Sequence, residues 1–338
     1  MAEQRAHLPW VIRAGSGLTA VFLALGALLS VQPAAAQQVA TPTSTPASTV
    51  AAPIGPFYFP VIFNNAAPGQ STVLIRQQQG FDACNLPALS TMATWWKSSP
   101  YSTVNIYLGG SSFPVKYCSF GVTNSYLAAA DQQGWTFILT WVGPQAPCYA
   151  AHYPNDLTSI SYNTTTAYNQ GRSEADAAVT RARNLGFTGG LAIYYDMEAY
   201  AYYETTSCRT AANTFMSGWV SRLHELTVKA GGYGSTCSSR VSDWWTITNQ
   251  PDYLWAAFWN STSAYSQYAS VYGLWCLSDT YWSNHQRIRQ YTGDHTETWG
   301  SRSLEIDSNV IDGAVQAYSY GGLVGTSGAA SSAPLAAQ

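Results

Sequence analysis

Ten residues, Leu191-Ala192-Ile193-Tyr194-Tyr195-Asp196-Met197-Glu198-Ala199-Tyr200, constrain the fold of this chain more than any other stretch. They read as a buried β-strand that ends in two carboxylates spaced i, i+2. Side chains alternate faces along a strand, so Asp196 and Glu198 point the same way, with Cα atoms roughly 7 Å apart. Leu191, Ile193, Tyr195 and Met197 make the opposite face, which is large and apolar. Ala192 and Tyr194 share the face of the two acids. A strand with helices packed outside, small and polar groups inside and acids at its C-terminal tip is the pattern by which a closed β/α barrel presents chemistry at its mouth.

Seven further runs of β-branched and aromatic residues, bounded by turn residues, read as strands. They are Gly80–Ala83, Val104–Leu108, Thr136–Val142, Gly232–Ser235, Tyr253–Trp259, Arg287–Tyr291 and Leu304–Val310. Amphipathic helices are expected between the early strands, at Pro87–Lys97, Val122–Gln133, Ser173–Leu185, Thr210–Ala230 and, shorter, Ser238–Ile247. Alternation of this kind predicts an α/β fold, a single (β/α)8-type TIM barrel. After Trp259 the helical signal fades, so the last three units are expected to be irregular. The segment Gly143–Gln170 reads as a long loop rich in Tyr, Asn and Thr; loops of that length at a barrel mouth tend to shape a binding cleft.

Domain organisation follows from composition. Residues 1–36 read as a signal peptide: Arg5 and Arg13 lead an apolar run, Leu18 to Val31, and Ala34-Ala35-Ala36 precedes Gln37 as a cleavage site. The apolar run is short and Gly/Ala-rich for a permanent span. Residues 37–57 are Thr-, Ser-, Pro- and Ala-rich linker, 58–318 the barrel body, and 319–338 a Gly/Ser/Ala tail expected to be disordered. The chain is therefore expected to be secreted, free of the membrane once the signal is removed, and a monomer. Formal net charge is −3 with only 10% charged residues, which argues against a nucleic-acid partner.

The body holds six cysteines, Cys84, Cys118, Cys148, Cys208, Cys237 and Cys276, one after each of the first six strands. An even number in an exported chain favours disulfides, and no zinc-type spacing occurs, so no metal and no cofactor are expected. Pairing neighbouring loops would join Cys84 to Cys118, Cys148 to Cys208 and Cys237 to Cys276, although spacing alone does not determine connectivity.

Other strand tips add acids to the pair. Asp82 ends the first strand and Asp307 lies in the last, while Gln290 ends the seventh. Closure would bring strands one, seven and eight together, facing strand four across the mouth. Alone, each of these acids serves as readily to cap a helix or pair with an arginine. Together they suit glycosidic bond cleavage, which uses one carboxyl as acid and another as nucleophile or charge stabiliser. Tyr291, Tyr194, Trp255 and Trp141 are candidate sugar contacts beside Gln290, because flat rings suit sugar C–H faces. A serine or cysteine hydrolase is excluded by the lack of a G-x-S-x-G turn and by oxidised cysteines. His152, His224, His285 and His295 show no evident partner.

These residues resemble a known group. Gly80-Phe81-Asp82, Tyr195-Asp196-Met197-Glu198, Leu254-Trp255-Ala256-Ala257, Arg289-Gln290-Tyr291 and Ile306-Asp307-Ser308-Asn309 occur in the order seen in family 25 glycoside hydrolases, the lysozyme-type muramidases. A nearer match is similar to a bacterial glycoside-hydrolase-like barrel family known as a domain of unknown function. Its marks here are the Gly-Phe-Asp-x-Cys opening, Gln145-Ala146-Pro147-Cys148 and the Asp-Met-Glu strand. The resemblance spans Gly80 to Gly313 and implies five β/α units followed by three strands. By the same resemblance Glu198 is the general acid, and Asp196, Asp82 and Asp307 line its site. Cys84-Asn85 departs from the polar and Trp positions that usually follow the first-strand Asp, and this unsettles the sugar subsite there. Two readings follow: a secreted hydrolase of a β-linked polysaccharide such as peptidoglycan, or a catalytically silent barrel that binds cell-wall glycan.

Overall fold

A computed structural model describes residues 70–259 and 264–318. The expected signal peptide, linker and tail, and the first residues of the expected body, lie outside the described residues. The elements run β1 Thr72–Asp82, α1 Leu89–Ser98, β2 Tyr101–Gly109, α2 Asn124–Gln133, β3 Thr136–Trp141, α3 Pro147–Ala150 and α4 Thr164–Asn184. They continue with β4 Ala192–Asp196, α5 Thr206–Glu225, β5 Lys229–Ser235, β6 Tyr253–Ala257, β7 Arg287–Trp299 and β8 Arg302–Ala317. The eight strands neighbour one another in chain order, and β8 returns to β1, so the sheet closes in a ring. Strands β1 to β7 pair in parallel. β8 is antiparallel to both β7 and β1, which makes the sheet mixed rather than the all-parallel ring of a regular (β/α)8 barrel. The cause is a tight turn at Gly300 between β7 and β8, since a hairpin can only reverse the chain.

Helices fade where the sequence signal fades. Residues 241–245, between β5 and β6, form only a short 3-10 helix, and no helix joins β6 to β7 among the described residues. β1 begins eight residues ahead of its expected start. Its extra length joins an apolar run, Val73-Leu74-Ile75, to the polar Arg76-Gln77-Gln78-Gln79, which interrupts the strand signal; yet it pairs along its whole length with β8. Helix α4 also begins earlier than expected, inside the segment read as loop. Asn163 caps it by accepting from Thr166 N at 3.0 Å. It packs on α5 almost backbone to backbone: a Cβ at Gly171 would lie 2.2 Å from Phe215 O, and one at Gly218 2.1 Å from Tyr168 O. Helix α5 stops before the expected Ala230, because Lys229 to Tyr233 pair with β4 as β5.

The alternation read from the ten residues holds in three dimensions. Ile193, Tyr195 and Met197 belong to the large apolar layer between sheet and helices. Tyr194 instead joins Ile138, Trp255, Ile288, Ile311 and Val315 inside the ring. Three disulfides staple the connections, Cys84–Cys118, Cys148–Cys208 and Cys237–Cys276, with Cα separations of 5.1, 5.8 and 5.1 Å. This is the neighbour-to-neighbour pairing. No helix among the described residues is long and apolar enough to cross a membrane.

Candidate functional site

The tip of β4 is held by one buried amide. Gln145 Nε2 donates to Asp196 O at 2.8 Å and to Gly143 O at 3.1 Å, while its Oε1 accepts from Glu198 N at 2.9 Å. Met197 N donates to Tyr233 O at 3.0 Å, so the chain stays extended along β5 past the end of β4. Asp196 is buried, Glu198 partly exposed. Their spacing and shared face follow from these clamps as much as from strand geometry.

On the facing wall, β1 and β8 set Asp82 directly opposite Asp307 in register. Gln290, from the end of β7, bridges them. Its Nε2 donates to Asp82 at 3.1 and 3.2 Å and to Asp307 Oδ2 at 3.2 Å, and its Oε1 accepts from Tyr233 Oη at 2.9 Å and Trp259 Nε1 at 2.8 Å. Asn309 Nδ2 donates to Asp82 Oδ2 at 2.6 Å, and Trp255 Nε1 to Asn309 Oδ1 at 2.7 Å. The pairing of β7 with β8 slips between Thr292 and His295, and the displaced Asp294 N–H donates to Asp307 Oδ1 at 2.6 Å. Every donor in this network is a neutral amide, indole or phenol.

Electrostatics bind the two walls into one site. Burial pushes Asp82 up to about 6, against the pull of Asn309 and Gln290. Burial also lifts Glu198 to about 7, opposed by the Ala199 N–H. Asp196 is raised well above the carboxylate range by burial and then by the charges of Glu198 and Asp82. Asp307 is raised by burial and by Asp82, with Glu198 adding to it. Tyr107, buried on β2, and Tyr233, partly buried on β5, are each raised by burial and by all four carboxylates, so their hydroxyls stay protonated. Like charges gathered in a dry site are how a carboxyl keeps its proton near neutral pH.

The expected sugar contacts fare differently. Gln290 is fully used by its four partners. Tyr194 is buried and donates to Ala314 O at 3.0 Å, and Trp255 packs on it beneath the acids. Trp141 faces the helices and donates to Glu174 at 2.5 Å. Tyr291 points away from the acids and donates to Gln79 Oε1 at 3.2 Å. None of these four rings opens to solvent beside the carboxylates. Sequence reasoning passed over Tyr107, Tyr233 and Asn309, although all are polar groups near strand ends, the signal that singled out the acids. It also missed a buried network on the β7–β8 arm, in which His295 Nε2 lies 2.9 Å from Glu297 Oε1 and 3.2 Å from Ser308 Oγ, with Tyr101 Oη 2.6 Å from Ser308 Oγ.

A cleft of about 550 Å³ opens onto Asp82 and Asp307, walled by Cys84, Asn85 and Tyr117 on one side and by residues 303–307 of β8 on the other. Among the described residues no three acid, His or Cys side chains are arranged to hold a metal ion.

A closed α/β ring with buried acids on its strand tips defines a glycoside-hydrolase-like class. The chain belongs to the Rv2525c-like, glycoside hydrolase-like domain family, whose description matches residues 94–311. No curated protein matches it. Among solved structures it is similar to an uncharacterized B. stearothermophilus protein, at 16% identity over 69% of this chain and 95% of that one, TM-score 0.48. Another is the catalytic domain of endolysin ply40 from bacteriophage P40 of Listeria monocytogenes, at 14% identity, 70% and 93% coverage and TM-score 0.40. The modular autolysin LytC from Streptococcus pneumoniae matches at 12% identity, over 71% of this chain and 46% of that one, TM-score 0.39.

Proposed function

We propose that this protein is a secreted glycoside hydrolase with a modified TIM-type barrel, cleaving a β-linked polysaccharide of the peptidoglycan kind. The observation that carries the reading is the partly exposed Glu198, lifted to about 7 beside the buried Asp196 and across from Asp82 and Asp307. A carboxyl in that range is about half protonated at neutral pH and acidic enough to give its proton to a leaving oxygen. Asp196 stabilises the positive charge that grows on the sugar, or orients its C2 substituent, and Asp82 and Asp307 assist. Membership of a glycoside-hydrolase-like family and three disulfides, which fit an oxidising compartment, support the reading.

The test is incubation of the purified protein with peptidoglycan and a panel of β-glycans, scoring new reducing ends. Glu198→Gln keeps the shape and removes the transferable proton, and a loss of about 10²–10⁴-fold is expected. In the wild type, activity should fall as the pH rises through about 7. Retention of more than about a tenth of the rate by Glu198→Gln would remove Glu198 from the role. Binding of glycan with no cleavage by the wild type would make the protein a silent glycan-binding barrel.

A further inference from the structure

The mouth is more acidic than cleavage of a neutral sugar requires. Two carboxyl groups suffice for that reaction. Here four act on one another electrostatically, and Asp294 and Glu305 join Asp82 and Asp307 in lining the cleft. Among the described residues, no Lys, Arg or His lines that cleft. Several acids elsewhere in the chain are instead paired with bases. Asp243 is paired with Arg209, Glu204 with Arg240, Asp252 with Lys229 and His224, and Glu225 with Arg172 and Arg222. In a chain with so few charges, the stretch of cleft beside Asp82 and Asp307 is a local exception.

Asp196 points to what is missing. It is 5% exposed, on the strand face that looks into the ring, and its Oδ1 has no hydrogen-bond partner. A buried carboxylate oxygen without a donor is costly, and a ligand that brings one relieves the cost. A sugar hydroxyl or an acetamide N–H would satisfy the oxygen but bring no charge to favour the ionised form of Asp196, which burial disfavours. An ammonium group supplies both the donors and the opposite charge. On a sugar whose glycosidic oxygen meets Glu198, the C2 substituent sits on the carbon next to the reacting one, within reach of the acid two residues earlier on the same face.

We propose that the sugar seated against Asp196 carries a free, protonated 2-amino group, so that the preferred substrate is an N-deacetylated amino-sugar polymer. This rests on the glycoside-hydrolase reading of the same site. Titration calorimetry at about pH 6 compares three β-1,4 hexamers: glucosamine, N-acetylglucosamine and glucose. The wild type, or Glu198→Gln where turnover interferes, should bind the glucosamine hexamer at least about tenfold tighter than the other two. Asp196→Asn should erase that preference, so that the glucosamine hexamer binds no more than about threefold tighter than the glucose hexamer. Equal or tighter binding of the N-acetylated hexamer overturns the proposal and leaves the hydrolase reading intact. A preference that survives Asp196→Asn also overturns it, because general attraction to an acidic cleft would then explain the result. If no hexamer binds, the glycan reading falls and takes the proposal with it. The wild-type comparison needs no variant to fold.

Discussion

Replacing Asp82 by Asn should stabilise the protein at neutral pH. Burial holds the Asp82 carboxyl at about 6 against an ordinary 3.8, even though Asn309 and Gln290 both donate to it. The folded state therefore grips this proton more tightly than the unfolded chain does. Its contribution to stability is complete below about pH 3.8 and is lost as the pH rises through about 6. The loss amounts to about 3 kcal/mol, at about 1.4 kcal/mol per pKa unit. An Asn amide has the size of a protonated carboxyl and presents the same conflict of one donor facing neighbouring donors, but it does not titrate. Urea denaturation with disulfides intact should give equal stabilities for the two proteins near pH 4. By about pH 8 the variant should lead by up to about 3 kcal/mol. Hydrolysis, where it occurs, should fall in the variant, since a site acid retained at a stability cost is retained for function. A difference that stays flat from acid to alkaline pH, or one that favours the wild type increasingly as pH rises, would refute the argument.

Three shorter predictions follow from other contacts. Gln145→Leu removes the clamp on both ends of Asp196-Met197-Glu198; kcat should fall about 10²-fold with little change in KM, measured on whichever glycan is cleaved. Breaking Cys148–Cys208 by Cys148→Ser/Cys208→Ser frees a closure spanning 60 residues, and should cost about 2–5 kcal/mol in denaturant unfolding. Arg287 is 1% exposed and donates to the carbonyls of Val271, Ser278 and Tyr281. Arg287→Met strands those acceptors and should lose at least about 3 kcal/mol of stability, with heightened proteolysis of the connection before β7 as the readout.

Part of this protein was determined by short stretches of its sequence. The alternation in Leu191 to Glu198, the turn residues between β-rich runs and the fading helical pattern after Trp259 are all properties of neighbours in the chain. They predicted eight strands in order, the early helices and the weaker closing units. One cysteine per connection likewise suggested pairing between adjacent loops. The start of β1, cut off from Gly80-Phe81-Asp82 by the polar Arg76 to Gln79, and the Thr-rich start of α4 escaped because their structure depends on distant partners, β8 in one case and the close-packed α5 in the other. The same limit governed the site. Strand ends marked out the acids, but only the folded ring shows that Gln290 is spent bridging Asp82 and Asp307, or that Trp255, Tyr194, Trp141 and Tyr291 are committed to packing. The reversal of β8 is local, made by the turn at Gly300, but only its return to β1 sets Asp307 opposite Asp82. Hydrogen bonds such as the one joining Gln290 to Asp82 span 208 residues. Local preference carries no information over that distance, so burial, charge and partner choice at the mouth were decided only when the sheet closed.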